Sequence, residues 1–199
     1  MPFIHTIPDS DIDDEIHAMY ERQRAHWGFV PNYARVFCHR PEIMALWAQL
    51  QSGIKKHMDK RRFELVTFAA AHALRSTLCS LAHGKALTEF FSMEDVQTMA
   101  RGEAPASLSL AEAEMMAFGR QVARDAANVT RGDIERLKQH GFSDAEIFDI
   151  SATAAARSFW TKLLESLGVE PEPSLRTLNE DFVRAMTAGR AVDFGDAKP

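Results

Sequence analysis

Cysteine is scarce: the 199-residue chain has two, Cys38 and Cys79. Two thiols are too few for the disulfide framework that holds small secreted domains together. Long apolar runs are missing as well, and none reaches the roughly 18 residues that a membrane-spanning helix needs. The opening Met1-Pro2-Phe3-Ile4-His5 lacks a basic segment followed by an apolar one, so no signal peptide and a cytoplasmic location are expected. Nor is there a basic excess. Lysine and arginine number 23 against 28 acidic residues, for a formal net charge of −5. That balance gives neither nucleic acid nor an anionic membrane an electrostatic hold. One concentrated basic run, Lys55-Lys56-His57 through Lys60-Arg61-Arg62, reads as a solvated helix face. Strand patterning is almost absent.

Helix signals recur instead. Ile12, Ile16, Met19 and Tyr20 share a helical face after Asp9-Ser10, and the turn Trp27-Gly28-Phe29-Val30-Pro31-Asn32 ends that segment. Pro41 suits a first helical position, followed by the stripe Ile43, Leu46, Trp47, Leu50 and Ile54. Four hydroxyl-x-x-acid patterns then open helices: Ser92 with Asp95, Ser109 with Glu112, Thr130 with Asp133, Ser143 with Glu146. Gly102, Gly141 and Gly168 suit left-handed C-terminal caps. Pro171 and Pro173 separate a long helix over 144–167 from a last one near 174–188, and the tail 191–199 reads as frayed. The expectation is an all-α chain of eight or nine helices, one domain over residues 1–199 with no linker. Apolar stripes on so many helices could also serve subunit contacts.

The chemistry concentrates between Glu64 and His83. Cys79 and His83 are four apart and share a helical face. A histidine beside a thiol can take its proton, and the imidazolium then stabilises the thiolate nucleophile. Ser76 reads as an N-cap, which puts Cys79 in the first helical turn, where free amides favour an anion. Glu64 lies fifteen residues before Cys79, about 22 Å along one unbroken helix. A break near Arg75-Ser76 folds the two segments together and lets Glu64 orient His83. Cys79, His83 and Glu64 could also supply zinc ligands, but a metal is not expected. His72 and Cys38 read as structural, and Trp47, Phe90-Phe91 and Phe159-Trp160 as core aromatics rather than a cofactor pocket.

The spacing Glu64, eleven residues, then Ser76-x-x-Cys79-x-x-x-His83 resembles the signature of AhpD-like proteins, in the carboxymuconolactone decarboxylase superfamily. In that signature Glu is followed after eleven residues by Cys-x-x-Cys-x-x-x-His. Ser76 replaces the first cysteine, and Leu78 stands where the family has a histidine between its cysteines. The glycine-led stretch from Gly141 to Ile147 is similar to the start of the family's long second helix. Ser158-Phe159-Trp160-Thr161-Lys162, running on to Leu167-Gly168-Val169, is similar to the Asn-Phe-x-Asn-Arg and Leu-Gly-Val ending of its peroxidase-related branch. The turn after Trp27 with His39-Arg40-Pro41-Glu42 resembles that branch's N-terminal extension. The likeness covers roughly residues 20–170.

The resemblance implies an all-α AhpD-like domain, a homo-oligomer (dimer, trimer or hexamer), and a peroxidase-related antioxidant oxidoreductase. Its site residues would be Cys79 as nucleophile, His83 as base, Glu64 as relay and Ser76 as a pocket-lining hydroxyl. In the family two cysteines form a redox pair, and serine cannot form that disulfide, so dithiol turnover within the motif is excluded. Three readings stay open. Cys79 can be a one-cysteine peroxidase rescued by an external thiol. Glu64 and His83 can do acid–base chemistry on a small organic acid or lactone, as the superfamily's decarboxylases do without a cysteine pair. The fold can serve binding or assembly without catalysis. No cofactor is expected in any of them.

Overall fold

The structure, a computed structural model, describes residues 2–176 and 178–192. Among the described residues are eleven α-helices and no strand. They are α1 (Asp14–Trp27), α2 (Asn32–Val36), α3 (Pro41–Lys55), α4 (Lys60–Ala73), α5 (Thr77–Leu87), α6 (Met93–Ala100), α7 (Leu110–Asp125), α8 (Arg131–Gln139), α9 (Asp144–Ser166), α10 (Pro173–Arg176) and α11 (Glu180–Met186). Single 3-10 turns over Phe37–His39 and Ala126–Asn128 join the set. Two of the eleven, α2 and α10, are short turns of five and four residues, so the expected count of eight or nine falls short by elements too brief to show a period.

Local chemistry places the boundaries. Pro41 opens α3, and Ser92, Ser109, Thr130 and Ser143 cap α6, α7, α8 and α9. The last three form reciprocal capping boxes with Glu112, Asp133 and Glu146. Two boundaries differ from expectation. Asp13, not the Asp9-Ser10 pair, caps α1, because its side chain accepts from the Ile16 amide. The helix expected over 174–188 divides in two, because Asn179 accepts from the Phe182 amide and starts α11 afresh. Of the tail expected to fray, residues 193–199 lie outside the described residues.

The run 63–71 of α4 is buried throughout, so this helix sits at the centre. It packs against α5, α7 and α9. A Cβ at Gly119 of α7 would lie 3.3 Å from Val66 Cγ1, so glycine there permits a close α4–α7 approach. One apolar cluster joins α4 to α6, α7, α8, α9 and α11. A second joins α1, α2 and α3 to Leu78 and Cys79 of α5 and to Trp160 and Leu164 of α9. The candidate site opens within this second cluster. Among the described residues no helix is long and apolar enough to cross a membrane.

Candidate active site

Between α4 and α5 the chain turns back on itself. Arg75 has φ of 59°, a left-handed conformation that non-glycine residues rarely adopt. Ser76 follows in extended conformation as the N-cap of α5, and its side chain accepts from the Cys79 amide. The expected break is therefore present, and it sets α5 against α4. Glu64 and His83, nineteen residues apart, meet with His83 Nδ1 2.6 Å from Glu64 Oε2. Glu64 is 7% exposed, and the His83 side chain is mostly buried as well, at 18% exposure.

Electrostatics settle the proton in this pair. Burial, with the nearby Arg157 adding to it, holds the His83 imidazole below its ordinary 6.5, and the opposing pull of Glu64 does not overcome them. Burial alone would lift the Glu64 carboxyl, but the interaction with His83, together with Lys55 and Arg157, brings it below its ordinary 4.5. At neutral pH the pair is thus a carboxylate accepting from the Nδ1–H of a neutral imidazole. That bond fixes the tautomer and leaves the Nε2 lone pair free.

This charge state carries a stability prediction. The unfolded chain binds a proton near pH 6.5 that native His83 refuses, so stability falls as pH drops below about 6.5, by up to about 1.4 kcal/mol per pH unit. His72, held below its ordinary value mainly by burial, adds a slope of the same sign. Melting temperatures of wild type and His83→Gln between pH 7.5 and 5.5 check this. The variant should lose less on acidification, and superimposed profiles would disprove the assignment.

Cys79, in the first turn of α5, is 3% exposed, and its Sγ lies 3.7 Å from Thr161 Oγ1, which donates to it from α9. Arg157, one turn earlier on α9 and 5% exposed, lines the same cavity and interacts electrostatically with the same sulfur. Burial pushes the Arg157 pKa down, while Cys79 and Glu64 oppose that push. The Arg157 Nε, also buried, has no hydrogen-bond partner. Among the described hydrogen bonds none joins His83 to Cys79. The sulfur's partners come from α9 instead, and imidazole and thiol are related as walls of one cavity.

That cavity has a volume of about 740 Å³ and is lined from α1, α2, α3, α4, α5 and α9. Glu64, Cys79, His83, Arg157, Lys55 and Lys56 are among its polar lining, and Trp47, Trp160, Leu78 and Leu164 supply much of its apolar surface. Trp160 stacks between Phe37 and Trp47, at centroid distances of 5.2 and 4.6 Å. Trp47 and Trp160 therefore pack as core aromatics, as expected, and face the cavity as well. Three of the four expected site residues, Glu64, Cys79 and His83, come together here.

Ser76 stands elsewhere. It is fully buried behind the cavity wall and does not line it, because its hydroxyl donates to Glu165 Oε1 at 2.7 Å while capping α5. Cys38 also stays apart, with its sulfur accepting from the Ile7 amide. The basic run is mostly solvated, with Lys55, Lys56, His57 and Lys60 exposed, but it does not lie on one helix. It spans the α3–α4 turn, so Lys55 and Lys56 line the cavity, while Arg61 pairs with Glu112 and Arg62 with Glu146. Arg157 and Thr161 were not foreseen. The available signal was an arginine directly after the small-residue run Ala152 to Ala156, where burial demands a partner. Among the described residues no three His, Cys, Asp or Glu side chains converge as metal ligands would.

No protein-family model matches the chain, and no curated protein matches it. Solved structures do. An uncharacterized peroxidase-related protein from Ralstonia eutropha JMP134, described as an alkylhydroperoxidase AhpD core, aligns with a TM-score of 0.76 at 21% identity, covering 95% of this chain and 98% of that one. A peroxidase-related protein from Silicibacter sp. TM1040 aligns with a TM-score of 0.71 at 20% identity, covering 85% and 93%. The debrominase Bmp8 aligns with a TM-score of 0.74 at 14% identity, covering 92% and 97%. A cysteine-to-alanine variant of that debrominase has been solved with 2,3,4-tribromopyrrole. These are likenesses of fold: the chain has the all-α AhpD-like architecture, and that architecture hosts more than one activity.

Proposed function

We propose that this AhpD-like chain is a one-cysteine oxidoreductase that reduces an organic hydroperoxide at Cys79. The observation that carries the reading is the position of the Cys79 sulfur. It is in the first turn of a helix, receives the Thr161 hydroxyl and faces the Arg157 guanidinium, in one cavity with the Glu64–His83 pair. A cation, a hydroxyl donor and a helix start all stabilise an anionic sulfur, and the anion is the nucleophile.

The chemistry balances as follows. The Cys79 thiol proton passes across the cavity through water to His83 Nε2, and the sulfur attacks one oxygen of the O–O bond. That bond breaks, the leaving alkoxide takes the proton from His83, and Cys79 becomes a sulfenic acid while the hydroperoxide becomes an alcohol. One external thiol then forms a mixed disulfide and releases water. A second returns Cys79 to the thiol as the external disulfide departs. Ser76 plays no redox part. Glu64 keeps His83 in the tautomer whose Nε2 is free, the arrangement by which carboxylates support histidine bases elsewhere.

A second reading has its own observation, the short Glu64–His83 bond in the cavity wall, which suits acid–base chemistry on an organic acid or lactone without any thiol step. One experiment addresses the first reading. Treat the protein with one equivalent of cumene hydroperoxide in the presence of dimedone and map the adduct by mass spectrometry. The adduct is expected on Cys79 and not on Cys38, and adduct on Cys38 alone would reject the peroxidase reading.

A further inference from the structure

The cavity wall carries an imbalance of charge that the peroxide step leaves unexplained. Lys55, Lys56 and Arg157 line it, and Glu64 is the only carboxylate among the lining residues. With His83 neutral, three cations face one anion, and a Cys79 thiolate would still leave one positive charge over. The chain as a whole carries −5, so this excess is local to the cavity. The innermost cation, Arg157, is buried and has an unpartnered Nε. Its guanidinium lies 5.8 Å from the Trp47 ring centroid, and Lys55 Nζ lies 4.7 Å from that of Phe63. Buried cations are retained where an anion meets them, and arginine suits a planar carboxylate because its fork matches both oxygens.

Size points the same way. Hydrogen peroxide would occupy a small fraction of 740 Å³, whereas ligand pockets of roughly 300–1,000 Å³ hold organic molecules. The apolar part of the lining is largely aromatic, and all three tryptophans of the chain, Trp27, Trp47 and Trp160, belong to it.

We infer that the cavity selects an organic anion with a flat apolar body, an aromatic carboxylate or its hydroperoxide, whose carboxylate meets Arg157 and Lys55 while the ring lies along Trp47. This inference rests on the proposed function for the chemistry performed on that ligand, but not for its binding.

The tryptophans make the test direct, because every one of them borders the cavity. Quenching of intrinsic fluorescence is titrated with 4-nitrobenzoate and with the neutral 4-nitrobenzamide. Wild type should bind the acid at least about tenfold more tightly than the amide, the ratio expected of a charge-assisted pair. Arg157→Gln should erase that ratio and leave amide binding in place, and Arg157→Lys should restore part of it. Lys55→Gln, a change at an exposed position, should weaken acid binding severalfold, and it carries the test if Arg157→Gln does not fold. Equal affinity of wild type for acid and amide overturns the inference, as does an acid affinity insensitive to both Arg157→Gln and Lys55→Gln. Cys79 oxidation without added acid is measured on the same samples. Its failure would remove the peroxidase reading while leaving anion selection intact, so the two failures are distinguishable.

Discussion

In the Cys79→Ser variant, consumption of cumene hydroperoxide with excess dithiothreitol falls to the rate of the protein-free blank, while Cys38→Ser turns over near the wild-type rate. Serine keeps the shape of the side chain and can still accept from Thr161, so the fold should survive. What it loses is the polarisable anion that attacks the O–O bond. Cys38 and Cys79 are equally buried, at 3% exposure each, so burial cannot account for the difference. Surroundings do: Cys38 accepts one backbone amide, whereas Cys79 meets a hydroxyl and a guanidinium at a cavity wall. Full turnover in Cys79→Ser would refute the thiol mechanism and favour acid–base chemistry.

Glu64→Gln should slow the same reaction by about a hundredfold, at the lower end of what a positioned acid–base group contributes. Glutamine can still accept from His83 Nδ1, but it cannot offer the negative charge that supports a proton on Nε2. Glu64 acts through His83 and is a positioning residue, so the loss should fall on kcat rather than KM. The pH–rate profile should also change with the histidine's titration, a shift that a merely structural role would not cause. Glu64→Asp should recover part of the rate. If Glu64→Gln matches wild type while Cys79→Ser is dead, the carboxylate has no part in peroxide reduction.

The two variants together separate redox from acid–base chemistry because they act on different elements. They also mark what could be read from sequence. Glu64, Ser76, Cys79 and His83 lie within twenty residues, where helical spacing and one cap suffice to place them. Ser76 announces the break, and Arg75 takes the strained conformation that the break requires. The capping boxes of α7, α8 and α9 were legible for the same reason, since each joins residues three apart.

What was hidden depends on contacts between distant segments. Arg157 and Thr161 reach the Cys79 sulfur from about eighty residues away, on a helix whose apolar periodicity shows that it is buried but not what it faces. The basic run is mostly exposed, as its composition implies, but the chain turns between α3 and α4, so Lys55 borders the cavity while Arg61 pairs with Glu112. Spacing places Ser76 as the cap of α5, where it stands, whereas the family resemblance puts its hydroxyl in the pocket. Glu165, at the far end of α9, claims its hydroxyl instead.

The claim beneath these expectations is that its setting, rather than its burial, makes Cys79 the reactive thiol. Timed alkylation by iodoacetamide at neutral pH, with each cysteine followed separately by mass spectrometry, tests it most directly. Cys79 should be modified well ahead of Cys38, and Thr161→Val should narrow the gap. Modification of Cys38 first, or of both at one rate, would contradict the account.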